Sequence, residues 1–180
     1  DRRRKEKNNV KGVKKGMKVV VTNKKAWYGR SEAIELVFGS WETNIAKLPK
    51  YLDALVKSNQ GTIIRWLHHS DSTDHVKTFK YVFWTFEPTI DAFHMCRPVI
   101  CVDGTHLRGE YKGKLLVTVT QDANNHIIPI AYAIVDEETI SSWSWFMEQL
   151  RYHVARDRYP ICVISDRHPG IIHAMAHFDY

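Results

Sequence analysis

Two aspartates each close a short run of apolar residues. Val99, Ile100, Cys101 and Val102 precede Asp103, and Ile161, Cys162, Val163 and Ile164 precede Ser165 and Asp166. Runs of this length, bounded by turn formers, are consistent with buried strands. If the two strands are parallel neighbours, both carboxylates leave the same edge of one sheet. That C-terminal edge is where open α/β sheets usually hold their ligands. Two carboxylates held close repel each other unless a cation sits between them. Mg2+ takes oxygen ligands and binds through one or two carboxylates plus phosphate oxygens. Two such ions about 3.5–4 Å apart activate a water or a 3′-hydroxyl and stabilise the leaving oxygen of a phosphodiester. The chemistry in view is therefore metal-assisted phosphodiester cleavage, with Asp103 and Asp166 as the metal-binding pair. A structural alternative stands beside it: an Asp after a strand also forms turns, and Asp166 can cap a helix starting near Pro169.

Other polar residues could join such a site. Glu148, on the helix expected after the third strand, can be a metal ligand or an ordinary surface acid. Asp122, Asp136, Glu137 and Glu138 fall at strand ends or turns. Arg167 and His168 follow the second Asp directly and can touch DNA phosphate or simply shape a loop. His106, three residues after Asp103, and Lys112 and Lys114, in the turn that follows, are read the same way. His173 and His177, four apart on a helix, share a face, yet a zinc site needs further ligands. Trp143, Trp145 and Phe146 could stack on bases, but their spacing assigns Trp145 and Phe146 to a core.

The elements that would position these groups can be read from periodicity. Residues 26–38 recur with helical spacing at Trp27, Ala33, Ile34, Val37 and Phe38, and Gly39 stops them. A second helix has Thr43 as its cap and Ile45, Leu48, Leu52, Leu55 and Val56 as its stripe, with a kink or break expected at Pro49. Residues 62–68 and 77–86 are rich in β-branched and aromatic residues and can pair as a hairpin. Pro88 opens a short helix. Three strands follow, at 99–102, 115–121 and 127–135, then a helix over 141–154 capped by Ser141 or Ser142. A strand at 161–164 and a helix from Pro169 to about His177 complete the order β-β-β-α-β-α. The first three of these strands form an antiparallel meander, and the helix carries the fourth back beside the first, parallel to it. Pro129 cannot donate to a central ladder, which assigns its strand to a sheet edge. The domain organisation expected is a basic flexible arm (1–25), a helical and hairpin region (26–96) and a partial catalytic domain (97–180).

Composition agrees with a folded α/β protein. Of 180 residues, 44% are hydrophobic and 12% aromatic, which excludes a disordered chain. No run of about 18 uncharged apolar residues is present to span a membrane, and no apolar h-region follows the basic start. The net charge of +6 is uneven: residues 1–30 hold 12 Lys/Arg against 2 Asp/Glu, and the remainder is net acidic. A basic arm on a mildly acidic body suits a polyanion partner or, alternatively, a solvated tail. The arm is also compatible with a nuclear-localisation signal. Three cysteines are too few and too odd in number for a disulfide framework, and a reducing compartment fits best. Cys101 and Cys162 are expected to pack as small hydrophobes. The start at Asp1, without Met, suggests an excerpt from a longer chain.

The residues around the two aspartates carry a resemblance. Cys96-Arg97-Pro98-Val99-Ile100-Cys101-Val102-Asp103-Gly104-Thr105-His106-Leu107, followed by Tyr111-Lys112-Gly113, resembles the first catalytic block of plant Mutator-like element (MULE) transposases. Gln121-Asp122-Ala123-Asn124-Asn125, Ile128-Pro129-Ile130-Ala131, Trp143-Ser144-Trp145-Phe146 and Ser165-Asp166-Arg167-His168-Pro169-Gly170-Ile171 resemble the rest of that domain in order. Ala26-Trp27-Tyr28-Gly29-Arg30 and Leu48-Pro49-Lys50-Tyr51-Leu52 are similar to the segment that precedes it. The resemblance implies an RNase-H-like fold, a DDE active site with Asp103 and Asp166 as its first two carboxylates, and Mg2+ or Mn2+ as cofactor. It implies DNA as partner, both transposon ends and target, with a possible homo-oligomer, in the nucleus. The family's third acid, a Glu, would lie beyond Tyr180, as would its SWIM-type zinc finger, so this stretch alone is expected to be inactive. A domesticated DNA-binding regulator, similar to the far-red-impaired-response transcription factors, is the alternative, and an RNase-H-type nuclease is a third.

Overall fold

Local signals explain where each helix begins. The structure, a computed structural model, describes residues 22–73, 78–107 and 113–177. Contacts divide the chain into two compact units, Asp1–Pro49 and Lys50–Tyr180. In the first, helix α1 (Asn23–Phe38) starts three residues before the expected position because the Thr22 side chain accepts a hydrogen bond from Lys25 N. It stops at Gly39, whose φ of 84° lies where side chains rarely go, and whose N–H donates to Glu35 O. The apolar residues that suggested α1 are largely exposed: Trp27, Ile34, Val37 and Phe38 all lie open, and Ala26 is the buried residue of the helix. Helix α2 (Trp41–Ser58) runs through Pro49, where the boundary between the units falls. Its cap is Ser40, not Thr43. The Ser40 hydroxyl accepts Thr43 N at 3.2 Å, which makes Thr43 the third helical residue.

The second unit is built on a six-stranded mixed sheet. Its strands are β1 (Ile63–His68), β2 (Phe79–Thr85), β3 (Val99–His106), β4 (Lys114–Gln121), β5 (Ile127–Val135) and β6 (Cys162–Ile164), in the order β1-β2-β5-β4-β3-β6. Strands β3, β4 and β5 form the antiparallel meander, and β6 returns parallel to β3. The crossover to β6 uses α4 (Ile140–Leu150) and a π-helical turn (Arg151–Ala155) where one longer helix was expected. Thr139, rather than Ser141 or Ser142, is the N-cap of α4. Its side chain accepts Ser142 N while the Ser142 hydroxyl accepts Thr139 N, a reciprocal capping box. Helices α3 (Glu87–Met95) and α5 (Pro169–His177) complete the unit.

Pairing overturns two expectations. The β1–β2 hairpin joins the same sheet through β2 and β5, so β5 is an interior strand. Pro129 is nevertheless tolerated, for a local reason. β2 pairs only with Ala131–Ile134 of β5, and the β4–β5 register shifts at Thr118/Val119, so Pro129 sits in the half of the strand without a second neighbour. The second correction concerns β3, which does not end at Asp103. β4 continues to pair with it as far as His106 opposite Lys114, and Asp103 is mid-strand opposite Val117.

The sheet has two unlike faces. Its core face carries Phe83, Val102, Leu116, Ala131 and Ala133, packed against Trp143, Phe146, Met147 and Leu150 of α4 and Ile171 and Ala174 of α5. Phe83 meets Phe146 with ring centroids 6.0 Å apart, and Tyr81 meets Trp145 at 5.3 Å. Burying a large apolar side chain contributes roughly 1.5–3 kcal/mol, which fixes α4 and α5 on this side. Along β3 burial alternates, with Ile100 and Val102 buried and Cys101, Asp103 and Thr105 exposed. Cys101 and Cys162 are therefore not packed as small hydrophobes. Both are exposed, because an apolar run here marks a one-faced strand and not a doubly covered one.

Candidate functional site

Strand register sets β6 beside the first half of β3. β3 and β6 pair as Val99 with Cys162, Ile100 with Val163 and Cys101 with Ile164. Each pair is separated by the same interval in sequence (162 − 99 = 63), and the same interval separates Asp103 from Asp166 (166 − 103). Asp103 lies two residues beyond Cys101 on β3, and Asp166 lies two residues beyond Ile164, after β6 has ended. A step of two along a strand returns to the same face. Cys101 and Asp103 are exposed on one side of the sheet, and Ile164 and Asp166 are likewise exposed.

Each carboxylate already makes one local backbone contact. Asp103 Oδ1 accepts Gly104 N at 2.8 Å. Asp166 Oδ1 accepts His168 N at 3.0 Å, and its carbonyl accepts the Ser165 hydroxyl. The capping role open to Asp166 falls to His168. His168 Nδ1 accepts Gly170 N at 3.1 Å, and its carbonyl accepts the N–H groups of Ile171 and Ile172 at the start of α5. The His168 ring is half-buried, 6.2 Å from Trp143, whereas Arg167 is exposed.

The core-face side of the same strand end holds a compact polar group. His106 pairs across the sheet with Lys114, whose Nζ lies 2.9 Å from His106 Nε2 and 2.9 Å from Glu138 Oε1. The Glu138 carboxylate presses on the backbone beside Asp103: a Cβ at Gly104 would meet Glu138 Cδ at 2.8 Å. Glu138 thus approaches this part of β3, and Lys114 pairs with it at 2.9 Å. Alternation turns Gly104 and His106 to the side opposite Asp103. Lys112 lies outside the described residues. Sequence reasoning placed Glu138 only at a strand end; the signal for its position is the glycine directly after Asp103.

Glu148 is half-buried in α4, and Asp136 Oδ1 accepts Glu137 N. Asp122 is held in its own turn: hydrogen bonds from the His126 backbone and side chain, and from Asn124 N, keep its carboxyl below the usual range. His173 and His177 have ring centroids 4.2 Å apart, with His177 Nδ1 2.8 Å from the His173 carbonyl. Among the described residues no group of three or more His, Cys, Asp or Glu could hold a metal ion. Two carboxylates suit Mg2+, which takes its other oxygens from water and phosphate, and do not suit zinc, which needs three or four protein ligands.

A mixed α/β sheet with carboxylates beside a parallel strand pair describes a broad class of proteins. Residues 99–178 match the family model of the MULE transposase domain. The match starts on the first residue of β3 and spans β4, β5, α4, β6 and α5, and this stretch is similar to part of a MULE-type transposase. The β1–β2 hairpin, which extends the same sheet, precedes the matched segment. No curated protein and no solved structure matches the chain.

Proposed function

We propose that this chain is part of the catalytic domain of a DNA transposase of the Mutator-like type, with an RNase-H-like sheet and a DDE-type site to which Asp103 and Asp166 contribute. The observation that carries the reading is the common interval of 63 residues that relates every β3–β6 pair and the two aspartates (162 − 99, 166 − 103). The meander with a parallel return beside its first strand supports it, as does the family match over residues 99–178.

Asp103 and Asp166 would hold Mg2+ or Mn2+. Bound there, the ions supply charge neutralisation at a phosphodiester and an acidified water or 3′-hydroxyl. The protein groups themselves form no covalent intermediate. Asp103, held mid-strand by its pairing with Val117 of β4, contributes a rigid ligand, whereas Asp166 lies on the loop between β6 and α5. The partners are DNA ends and target DNA, and the compartment is the nucleus. Completion of the acidic set by a Glu outside this chain is part of the proposal.

The test is metal binding followed by activity. Mn2+ is titrated into the chain by calorimetry, and into Asp103→Asn and Asp166→Asn variants. Each substitution should lower affinity at least about tenfold, as loss of one of two carboxylates from a shared site predicts. In a longer parent that excises its element, Asp103→Asn should abolish excision. Excision at the wild-type rate would exclude this mechanism and favour a DNA-binding regulator without catalysis.

A further inference from the structure

Helix α1 carries an open apolar stripe. Trp27, Ile34 and Phe38 follow one another at intervals of seven and four residues, which places them on one side of the helix, with Val37 at its border. The Tyr28 ring meets the Trp27 ring edge-on, with centroids 5.1 Å apart, and widens the stripe at its N-terminal end. All five residues are between 46% and 73% exposed. The buried residue of α1, Ala26, lies about 100° round the helix from Trp27, so burial falls on a different face. Large apolar residues scattered singly need no partner, but a contiguous stripe marks an interaction surface.

The charges of α1 run the wrong way for a helix standing alone. Lys24, Lys25 and Arg30 lie in its first half and Glu32 and Glu35 in its second, with no acid in the first turn and no base in the last. Cations beside the positive end of the helix dipole and anions toward its negative end are both unfavourable. A second helix laid antiparallel corrects this, because its acidic half then lies beside the basic half of the first. A parallel neighbour of the same sequence would set like charges side by side. A different protein would have to supply this reversed order of charges, whereas a second copy of the chain supplies it by symmetry.

We infer that α1 is a self-association surface, pairing antiparallel with α1 of a second copy about a two-fold axis. Such an axis buries the same stripe on both copies. With Trp27 of one copy beside Phe38 of the other, Ser31 falls opposite Ile34, a small residue against a large one. The area is sufficient: five half-open side chains present roughly 500 Å2, so the pair buries about 1,000 Å2, where specific interfaces begin. This pairing involves neither aspartate and does not rest on the phosphodiester reading.

The experiment measures the mass of the whole chain in solution. An interface of this size is weak, so gel filtration with light scattering is run at about 100 µM and dissociation constants come from sedimentation. Wild type should show twice the mass of the chain. Ile34→Glu, which sets a carboxylate in the stripe at an exposed site, should weaken pairing at least about a hundredfold and leave far-UV circular dichroism unchanged. Glu32→Lys with Glu35→Lys should weaken it about tenfold, and adding Lys24→Glu and Lys25→Glu should restore it. A monomeric wild type overturns the inference, as does a dimer that Ile34→Glu leaves intact, since its interface then lies elsewhere. An unchanged constant in the double Lys variant overturns the antiparallel arrangement. If Ile34→Glu fails to fold, Val37→Glu is judged by the same criterion.

Discussion

Replacing Gly170 by alanine should destabilise the protein, although alanine is the better helix former. Gly170 is the second residue of α5 and fully buried. An added Cβ would meet Trp143 Cδ1 at 2.7 Å, Thr139 O at 2.8 Å and His168 Nδ1 at 3.1 Å. None of these neighbours can give way cheaply. Trp143 is fully buried, and Thr139 O is backbone at the cap of α4 and accepts Trp143 N. Reaching ordinary contact at 3.4 Å from 2.7 Å means moving α5 by about 0.7 Å. Overpacking of this kind costs about 1–3 kcal/mol, against a propensity gain of about 1 kcal/mol. The net is a loss of up to about 2 kcal/mol, or a fall in Tm of up to roughly 4–8 °C for a chain of this size. Gly29, inside α1 with nothing within 4 Å of its Cβ position, is the internal control. There the same substitution should stabilise by about 0.5–1 kcal/mol. Urea denaturation of both variants beside wild type decides the matter. A stabilised Gly170→Ala would refute the claim that α5 is locked against Trp143 and the α4 cap.

Two further outcomes follow from α4 and its end. Ser142 is fully buried, holds both halves of the capping box and donates to Glu137 O at 2.7 Å, so Ser142→Ala should cost about 1–2 kcal/mol by thermal melting, and Ser142→Thr less. His153 in the π-helical turn is held below the usual histidine range, first by burial and then by Arg65 and Arg156. The unfolded chain therefore takes up this proton before the folded one does. Stability should be full above pH 6.5, the unfolded value, and fall as pH drops through the lower folded value. Urea midpoints between pH 8 and pH 5 should slope less in His153→Gln, and an unchanged slope would assign the dependence to other groups.

Much of the sheet was legible because its signals are local and periodic. The antiparallel meander, the parallel return of β6 and the hairpin of β1 and β2 follow from run lengths, turn residues and crossover chirality. What escaped depends on tertiary pairing. Whether the hairpin stands alone or extends the sheet is decided by the contact of Val82–Thr85 with Ala131–Ile134, which no single segment encodes. Pro129 misled for the same reason: proline excludes a ladder bond, not a strand, and half of β5 lacks a second partner. The exposure of Cys101 and Cys162 was hidden because four apolar residues in a row look identical in a two-sided and a one-sided strand. The end of β3 was placed too early at Asp103–Gly104, since glycine after a run reads as a stop. Here that glycine makes room for Glu138. Asp103 and Asp166 were visible as types and spacing, whereas Lys114 beside Glu138 required the register.

The brevity of β6 has a consequence for how this fold can vary. Three residue pairs fix its phase against β3, and everything from Ser165 onward inherits that phase. Length changes in the loops between His106 and Ile161 leave it untouched, because the strand can dock again in the same frame. Loss or gain of a single residue between Cys162 and Asp166 shifts the loop that carries the aspartate relative to the frame set by β3. Across a set of homologous chains, gaps should gather in the former stretch and be missing from the latter.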